Sequence, residues 1–161
     1  MTIILGNIED RRVYPIRVRN HGKDYLTLYY YTQDSDAVLH TAAKRLVYFG
    51  SEADMARFCQ SHGLEMADDF GEFDYDVPID NPVDYGRILD NWNLLNTIAE
   101  IFGMFFEGDG RKYTRLYNLL FRLNTPAAPI PPTYCLSDRD YRDVLRIFRK
   151  KDRYLNLFDL F

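Results

Sequence analysis

Three histidines are the side chains of this 161-residue sequence best suited to act as general acids or bases near neutral pH. His21 lies in a predicted hairpin turn, His40 in a segment without a clear pattern, and His62 directly before Gly63. None stands near a serine or cysteine in a nucleophile motif, and the sequence lacks the Walker and Rossmann glycine patterns. We therefore expect a protein that is not an enzyme and that needs no cofactor. The alternative is a small enzyme that uses His40 or His62 with nearby carboxylates.

Acidic side chains are concentrated in residues 65–90, where nine carboxylates accompany a single base, Arg87, for a net charge of −8. The whole chain has a net charge of −4, so the rest of the sequence has a positive excess. Because carboxylates this close in sequence repel one another, binding to a basic partner would relieve the repulsion. A solvated loop and strand edge is the alternative explanation. The predicted partner-binding residues are Asp68, Asp69, Glu72, Asp74, Asp76, Asp80, Asp84 and Tyr75.

Aromatic residues interrupt this acidic stretch at Phe70, Phe73 and Tyr75. In a complex, charge complementarity mainly speeds the encounter, while a few buried contacts provide the affinity. These rings could supply such contacts, and they could equally form the inward face of a strand.

The spacing Asp74-x-Asp76-x-x-x-Asp80 also raises the question of a metal site. A calcium-binding loop would need an oxygen ligand and a glycine where this sequence has Pro78 and Ile79. We therefore predict no bound metal.

Basic residues recur at helical spacing near the end of the chain, at Arg142, Arg146, Arg149 and Arg153. Such a stripe could follow the phosphates of a nucleic acid. However, Asp138 and Asp143 stand four residues from arginines, as in ordinary surface ion pairing, and the isoelectric point is near 5.3. We expect a solvated face and no direct binding of nucleic acid.

The elements that position these residues begin with a predicted hairpin. Residues 11–19 alternate between apolar and basic side chains, and residues 25–32 are rich in aromatic and β-branched side chains, both patterns typical of strands. Residues 21–24 have turn composition. Pro15 indicates an edge position, because proline cannot donate a ladder hydrogen bond.

Further elements of the first half alternate strand and helix. Residues 45–49 predict a third strand, and Ser51 with Asp54 predicts the start of a short amphipathic helix. Gly63 is expected to end this helix. Residues 72–77 predict one more strand.

The second half has helical periodicity. Asn81-Pro82 is expected to open a helix that continues to Phe106 and breaks at Gly108. A second helix is predicted over residues 112–123. A proline-rich segment, residues 124–133, separates it from a third helix that is capped by Ser137 and turns Tyr141, Val144, Leu145 and Phe148 inward.

Together these patterns predict an α+β fold, with N-terminal antiparallel strands and a short helix packed against about three C-terminal helices. We expect one domain over residues 1–161, β-rich in residues 1–80 and helical in residues 81–161. The apolar C-terminal tail, residues 154–161, is expected to pack into the core. Cys59 and Cys135 have no metal-binding or disulfide pattern, and we expect both to be buried free thiols.

The location of the protein is predicted from its termini and apolar runs. The N-terminus lacks the pattern of a signal peptide. The longest apolar stretch, residues 98–106, is interrupted by Glu100 and is too short to cross a bilayer. We expect a soluble cytoplasmic protein without membrane partners.

Two segments are similar to motifs of the immunity proteins of bacterial contact-dependent inhibition and related polymorphic toxin systems. One begins at Ile88 and reads ILDNWNLLNTIA, and the other begins at Tyr117 and reads YNLLFRLNTPA. Tyr134, ahead of a capped helix, fits the same pattern. The resemblance implies a protein that binds one cognate toxin domain, often a nuclease, and blocks it. It implies no catalytic residues, and it leaves Trp92 and Asn93 as core and helix-packing residues.

The composition and the resemblance agree on an acidic binding surface. Toxin nucleases are often basic because they bind phosphates, so a small acidic protein could cover their active sites. The resulting hypothesis is a protein that neutralises a cognate toxin domain by occluding its active site. Besides the small enzyme considered above, an acidic decoy that mimics nucleic acid is the other alternative.

Overall fold

The computed structural model describes residues 1–125 and 132–161, which divide into two compact units. Unit 1 contains Met1–Asp76 together with Leu155–Phe161, and unit 2 contains Val77–Tyr154. Strands occur mainly in the first half of the chain and helices in the second, so the predicted α+β class is confirmed. The expectation of a single domain stays a prediction.

The described residues of unit 1 form strands and one α-helix. The helix is α1, Glu52–Ser61. The strands are β1 Ile3–Ile4, β2 Ile8–Asn20, β3 Lys23–Thr32, β4 Asp36–Val38, β5 His40–Thr41, β6 Leu46–Tyr48, β7 Glu65–Met66, β8 Gly71–Asp74 and β9 Phe158–Leu160. One sheet has the order β1, β5, β6, β9. The other has the order β4, β3, β2, with β7 and β8 each parallel to β2 on its far side.

The predicted hairpin is confirmed by the antiparallel pairing of β2 with β3. Its turn consists of His21 and Gly22, whose φ angles of 51° and 72° are both positive. Tight hairpins require this conformation, because it matches the right-handed twist of the strands. Glycine adopts it without strain, which explains Gly22.

The prediction of an edge position for Pro15 was wrong. Pro15 is buried in β2, which has β3 on one side and both β7 and β8 on the other. On that second side, β7 pairs only with Arg12 and Val13, and β8 pairs only from Ile16 onward. Pro15 therefore lies in the gap between two short partners, where no ladder hydrogen bond is required of it.

The short helix α1 begins and ends as predicted. The Ser51 side chain accepts a hydrogen bond from the backbone N–H of Asp54 at 3.1 Å. Gly63, just past the end, has a φ of 63°, a value that favours glycine. The strand predicted at 45–49 is β6, and the one predicted at 72–77 is β8, which ends at Asp74.

The C-terminal tail contributes the last strand of unit 1. Strand β9 pairs in parallel with β6, and Leu155 and Phe158 are buried. Leu160 and Phe161 remain 56% and 55% exposed, so the expected burial of the tail holds for its first part only.

In unit 2, the first helix is shorter at both ends than predicted. Helix α2 spans Tyr85–Phe102. It begins after Asp84, whose side chain accepts from the backbone N–H of Arg87, and not at Asn81-Pro82. It ends at Gly103, whose φ of 63° terminates the helical path before Gly108.

The remaining helices of the described part of unit 2 are α3 Thr114–Leu123, α4 Asp138–Phe148 and α5 Asp152–Leu155. Short 3₁₀ turns at Glu107–Asp109 and Arg111–Tyr113 precede α3. Ser137 caps α4 as predicted, by accepting from the backbone N–H of Asp140 at 3.2 Å. The prediction of the inward-facing residues of α4 was partly wrong, because Leu145 is exposed and Ile147 is buried in its place. Most of the predicted proline-rich loop, residues 126–131, lies outside the described residues.

The two cysteines differ in their surroundings. Cys59 is buried as predicted, and burial raises the pKa of its thiol, which keeps it protonated. Cys135 is exposed, so the prediction that it is buried was wrong. No helix in the described ranges combines the length and apolar character needed to cross a membrane.

Candidate partner-binding surfaces

The acidic residues of β7 and β8 lie beside basic residues of β2. In the parallel pairing, Arg12 is opposite Glu65, Arg17 is opposite Glu72, and Arg19 is opposite Asp74. The charge repulsion that the sequence implied is therefore relieved within the protein, by a strand about 50 residues earlier in the chain.

Arg17 is the centre of this pairing. Its guanidinium is 2.6 Å from the Glu72 carboxylate and 3.6 Å from that of Glu52. The same group lies 4.9 Å from the centroid of the Phe70 ring, a cation–π distance. Glu72 and Phe70, which both belong to the acidic stretch, therefore contact Arg17 of β2 and stabilise the sheet.

Asp76 fixes the hairpin turn between β2 and β3. Its carboxylate accepts hydrogen bonds from the backbone N–H groups of His21 at 2.6 Å and Gly22 at 2.7 Å. It also lies 3.6 Å from Nε of Arg19. Asp74 accepts from the backbone N–H of Asp76 at 2.8 Å. Both acids are therefore structural residues of the sheet.

The aromatic residues of the acidic stretch face inward more than outward. Tyr75 is only 8% exposed, and Phe70 and Phe73 are half-buried. The Tyr75 side chain offers almost no surface to a partner, so its assignment to the binding surface is corrected to a packing role.

Asp68 and Asp69 differ from these neighbours. They lie in the connection between β7 and β8, and both are exposed. Within the described part of the chain, neither carboxylate forms a hydrogen bond or an ion pair. They are the members of the predicted surface in unit 1 that remain available to a partner.

The acidic stretch continues in unit 2, where its residues have separate roles. The Asp84 side chain caps α2 by accepting a hydrogen bond from the backbone N–H of Arg87 at 3.2 Å. Asp80 is exposed, and it forms no hydrogen bond or ion pair with the described residues. Burial raises the pKa of Asp90, and the charge of Asp84 adds to this shift.

The three aspartates considered for a metal site belong to different units, Asp74 and Asp76 to unit 1 and Asp80 to unit 2. Among the described residues, no cluster of three or more His, Cys, Asp or Glu side chains could hold a metal ion. The expectation that the protein binds no metal remains to be tested by metal analysis.

Two of the histidines are held by backbone carbonyls. Nδ1 of His40 lies 2.7 Å from the carbonyl oxygen of Val38, and Nδ1 of His62 lies 2.9 Å from that of Phe58. A carbonyl only accepts, so Nδ1 carries the proton in both rings. The His62 ring also stacks on Phe58 with centroids 4.1 Å apart. These contacts give both histidines structural roles.

A polar pocket in unit 2 was not foreseen from the sequence. Its volume is about 240 Å³, and its lining comprises Trp92, Asn93, Asn96, Gly108, Asp109, Gly110, Thr114 and Tyr117. Trp92 is 2% exposed and meets the Tyr117 ring edge-on at 5.4 Å, which confirms its packing role. Asn93 instead faces solvent and accepts from the Tyr117 hydroxyl at 2.8 Å.

Gly108 closes one wall of this pocket. A Cβ atom at this position would lie 2.7 Å from the Phe106 ring and 2.8 Å from Nε1 of Trp92. Only glycine fits there without displacing a buried ring. The Gly108-x-Gly110 spacing was the sequence signal for this close approach, although it was interpreted as a helix end.

A second pocket, of about 700 Å³, lies along the outward face of α3. Its lining comprises Arg111, Thr114, Arg115, Asn118, Phe121 and Arg122. The periodicity of residues 112–123 predicted this helix but not the pocket. Helix α4 contains Arg142 and Arg146 of the basic stripe considered above, and Arg146 pairs with Asp143 at 3.7 Å.

Comparison with known proteins shows the fold and leaves the family open. No family model matches the sequence, and no curated protein matches it. A solved structure described as the C-terminal domain of SatS in complex with bromine is similar, with a TM-score of 0.63 and 18% sequence identity. The match covers 94% of this chain and 95% of the SatS chain. At this identity the similarity concerns the fold alone.

Proposed function

We propose that the protein binds a cognate toxin domain and neutralises it by covering the active site of that domain. The sequence motifs around Trp92 and Phe121 support a toxin as the partner, because they resemble those of immunity proteins. The free carboxylates of Asp68 and Asp69 support a basic binding face on that toxin.

The charge of unit 1 is the observation on which this proposal mainly depends. Residues 1–76 and 155–161 contain 14 acidic and 8 basic residues, for a net charge of −6. Several of these acids are neutralised by arginines of β2, whereas Asp68 and Asp69 are exposed and have no such partner in the part of the chain that the structure describes. A basic partner is attracted by the field of the whole unit and meets these two carboxylates directly.

The expected contribution of Asp68 and Asp69 is to the rate of association. Exposed charges steer two proteins together and set the partner, whereas their contribution to affinity is modest. Screening in salt should therefore slow the association, because the Debye length falls from about 10 Å at 0.1 M to about 3 Å at 1 M. The dissociation rate should change much less.

The experiment is to co-express the protein with candidate toxin domains, beginning with any that is encoded beside its gene, and to measure growth. For the purified pair, the association rate is then measured at low and high salt for the wild type, for Asp68→Asn/Asp69→Asn, and for Glu9→Gln/Asp34→Asn. Glu9 and Asp34 are exposed acids of unit 1 whose carboxylates form no hydrogen bond or ion pair among the described residues, so the control removes the same number of charges. We expect the double variant to associate about 10-fold more slowly and the control to be unchanged.

Two results would contradict the proposal. If the double variant associates at the wild-type rate, the acidic loop is a solvated surface and the toxin must bind elsewhere. If the purified protein hydrolyses nucleic acid, ester, peptide or phosphate substrates, and this activity disappears in His40→Ala or His62→Ala, the protein is an enzyme.

A further inference from the structure

The outward face of α3 forms a basic groove that we call the α3 groove, defined by the six residues that line the pocket of about 700 Å³. Arg111, Arg115, Asn118 and Arg122 follow the spacing i, i+4, i+7 and i+11. On α3 this spacing places Arg115, Asn118 and Arg122 on one face, and Arg111, in the 3₁₀ turn before the helix, lines the same pocket. The lining contains three arginines and no acidic residue.

One arginine of the groove is fixed and the other two are available. Arg115 donates to both carboxylate oxygens of Asp140, at 2.5 and 3.3 Å. Asp140 is 5% exposed, so this pair anchors the guanidinium against the protein. The guanidinium groups of Arg111 and Arg122 form no hydrogen bond or ion pair with any described side chain or backbone group. Their charges are left to solvent or to a ligand.

Phe121 gives the groove an apolar centre. Its ring is 58% exposed, although it lies directly beside Arg122 in the sequence and one turn from Asn118. Single exposed apolar residues are common, but aromatic rings and arginines together are the residue types that dominate binding energies in protein interfaces. Thr114 and Asn118 add hydrogen-bonding groups beside the ring.

From this arrangement we propose that the α3 groove binds an acidic segment of a partner protein, in which an apolar side chain stands between carboxylates. The apolar side chain would cover Phe121, and the carboxylates would pair with Arg111 and Arg122. Guanidinium groups suit this role, because their planar pairs of N–H donors match the two oxygens of a carboxylate.

A protein segment fits this groove better than a nucleic acid does. Nucleic acids bind along tracks of cations that follow many phosphates, and their binding is dominated by overall electrostatic attraction. This chain has a net charge of −4 and offers two available arginines and one ring in the groove. A short segment with two or three carboxylates matches that number of charges.

The proposal goes beyond toxin neutralisation and does not depend on it. The α3 groove belongs to unit 2 and is basic, whereas Asp68 and Asp69 belong to unit 1. A variant in one surface leaves the other intact, so the failure of either proposal can be recognised separately.

The test uses a fluorescent 12-residue peptide of aspartate and glutamate with two central leucines, and its binding is followed by fluorescence anisotropy. A second peptide has serines in place of the leucines, and a 12-nucleotide single-stranded oligothymidine serves as the nucleic-acid probe. The full-length protein is compared with Arg111→Gln/Arg122→Gln and Phe121→Ser. The matched control is Arg142→Gln/Arg149→Gln, which removes two exposed charges of the same unit, one in α4 and one directly after it.

We expect the leucine peptide to bind the wild type and the control equally. The groove double variant should bind it at least about 10-fold more weakly, and Phe121→Ser about 5-fold more weakly. Phe121→Ser should have little effect on the serine peptide, because that peptide has no apolar group to cover the ring. Hydrogen exchange should show protection of α3 by the peptide and none of α4.

Three outcomes would overturn the proposal. Equal weakening by the groove and control variants would mean that only general charge attraction is measured. Tighter binding of oligothymidine than of the leucine peptide would identify a nucleic-acid site. The absence of peptide binding by the folded wild-type protein would leave a solvated helix face. Circular dichroism of each variant checks that the fold is retained, which we expect because all substituted side chains are exposed.

Discussion

The two units differ in how far their charged side chains are paired within the protein. In unit 1, the acids of β7 and β8 meet the arginines of β2 in register, at Glu65, Glu72 and Asp74. In unit 2, residues 77–154 contain 12 basic and 10 acidic residues. The arginines of α3 lie on its outward face, and among the described residues Arg115 is paired there and Arg122 is not. The acidic part of the sequence is thus largely satisfied inside the fold, and the basic part retains free groups.

This difference shows what a local charge count can and cannot predict. A charge count over a window of sequence includes only residues that are neighbours along the chain, whereas a sheet brings together residues that are distant in sequence. Arg17 and Glu72 are 55 positions apart and lie 2.6 Å from each other. On a helix, the residues that share a face are close in sequence, so the spacing within residues 111–122 already predicts which side chains lie together.

The largest effect should follow from removing the strand that completes unit 1. Deletion of Leu155–Phe161 removes the buried Leu155 and Phe158 and the pairing of β9 with β6. Burial of two such side chains contributes roughly 3–6 kcal/mol, against a net stability of about 5–15 kcal/mol for a domain. We expect the melting temperature to fall by about 10 °C or more, or the protein to become insoluble.

Each unit contains its own probe for this experiment. In a Cys135→Ser background, which removes the exposed thiol of unit 2, Cys59 reports on unit 1 through its reactivity with a thiol reagent. Trp92, the single tryptophan of the sequence, reports on unit 2 through its fluorescence. If residues 1–161 form one cooperative domain, both signals should change in one transition. Deletion of residues 160–161 alone removes the end of β9 and the ring contacts of Phe161 with Phe49 and Phe58. It should lower the melting temperature less than the full truncation, since the buried Leu155 and Phe158 remain. A complete truncation that melts like the wild type would contradict the structural role of β9.

The second largest effect should come from unit 2. Arg115→Ala leaves the buried carboxylate of Asp140 without its bidentate partner. We expect a loss of about 1–3 kcal/mol, toward the lower end because the Arg115 side chain is largely exposed. Urea unfolding followed by Trp92 fluorescence measures it. Arg115→Ala/Asp140→Asn should lose less than Arg115→Ala alone, and an equal loss would show that the charge of Asp140 is not the cause.

The elements of the fold were predictable where a short stretch of sequence determines them. The caps at Ser51 and Ser137 and the turn at His21 and Gly22 depend on neighbouring residues, and all were found. The start of α2 was missed, because Asn81 is bound instead to the backbone of Leu136, at 2.8 and 2.9 Å. No local pattern contains that contact.

A third prediction separates structural from available acids. Asp76→Ala removes the acceptor of two backbone N–H groups in the hairpin turn, at His21 and Gly22. We expect a loss of about 1–2 kcal/mol in urea unfolding. Asp68→Ala should change stability by no more than about 0.5 kcal/mol, because the side chain is exposed without partners among the described residues. Equal losses would mean that Asp68 is also part of the sheet.

The candidate surfaces were predictable only in part, for the same physical reason. The acidic stretch was visible as a composition, but the division into structural acids such as Asp76 and available acids such as Asp68 depends on the pairing with β2. The α3 groove was encoded in the spacing of Arg111, Arg115 and Arg122. A charge analysis of both faces of every predicted helix would have identified it.

The smallest effect should be seen at Asp90 in α2, and it depends on pH. Burial and the charge of Asp84 raise the pKa of Asp90 above its ordinary value of 3.8. The folded protein therefore holds this proton more tightly than the unfolded chain does, and the contribution of Asp90 to stability declines as pH rises through the folded pKa. Above the folded pKa, the charged carboxylate is a penalty in the folded state.

Asp90→Asn should remove that penalty. The variant should be more stable than the wild type at pH 7, by about 0.5 kcal/mol or less, because Asp90 is an exposed residue of α2 and solvent screens most of the effect. The difference should vanish below pH 3.8, where the wild-type carboxyl is neutral in both states. Urea unfolding at both pH values measures it, with Asp80→Asn as an exposed control that should show no such change. A variant that is less stable than the wild type at pH 7 would mean that the Asp90 charge stabilises α2.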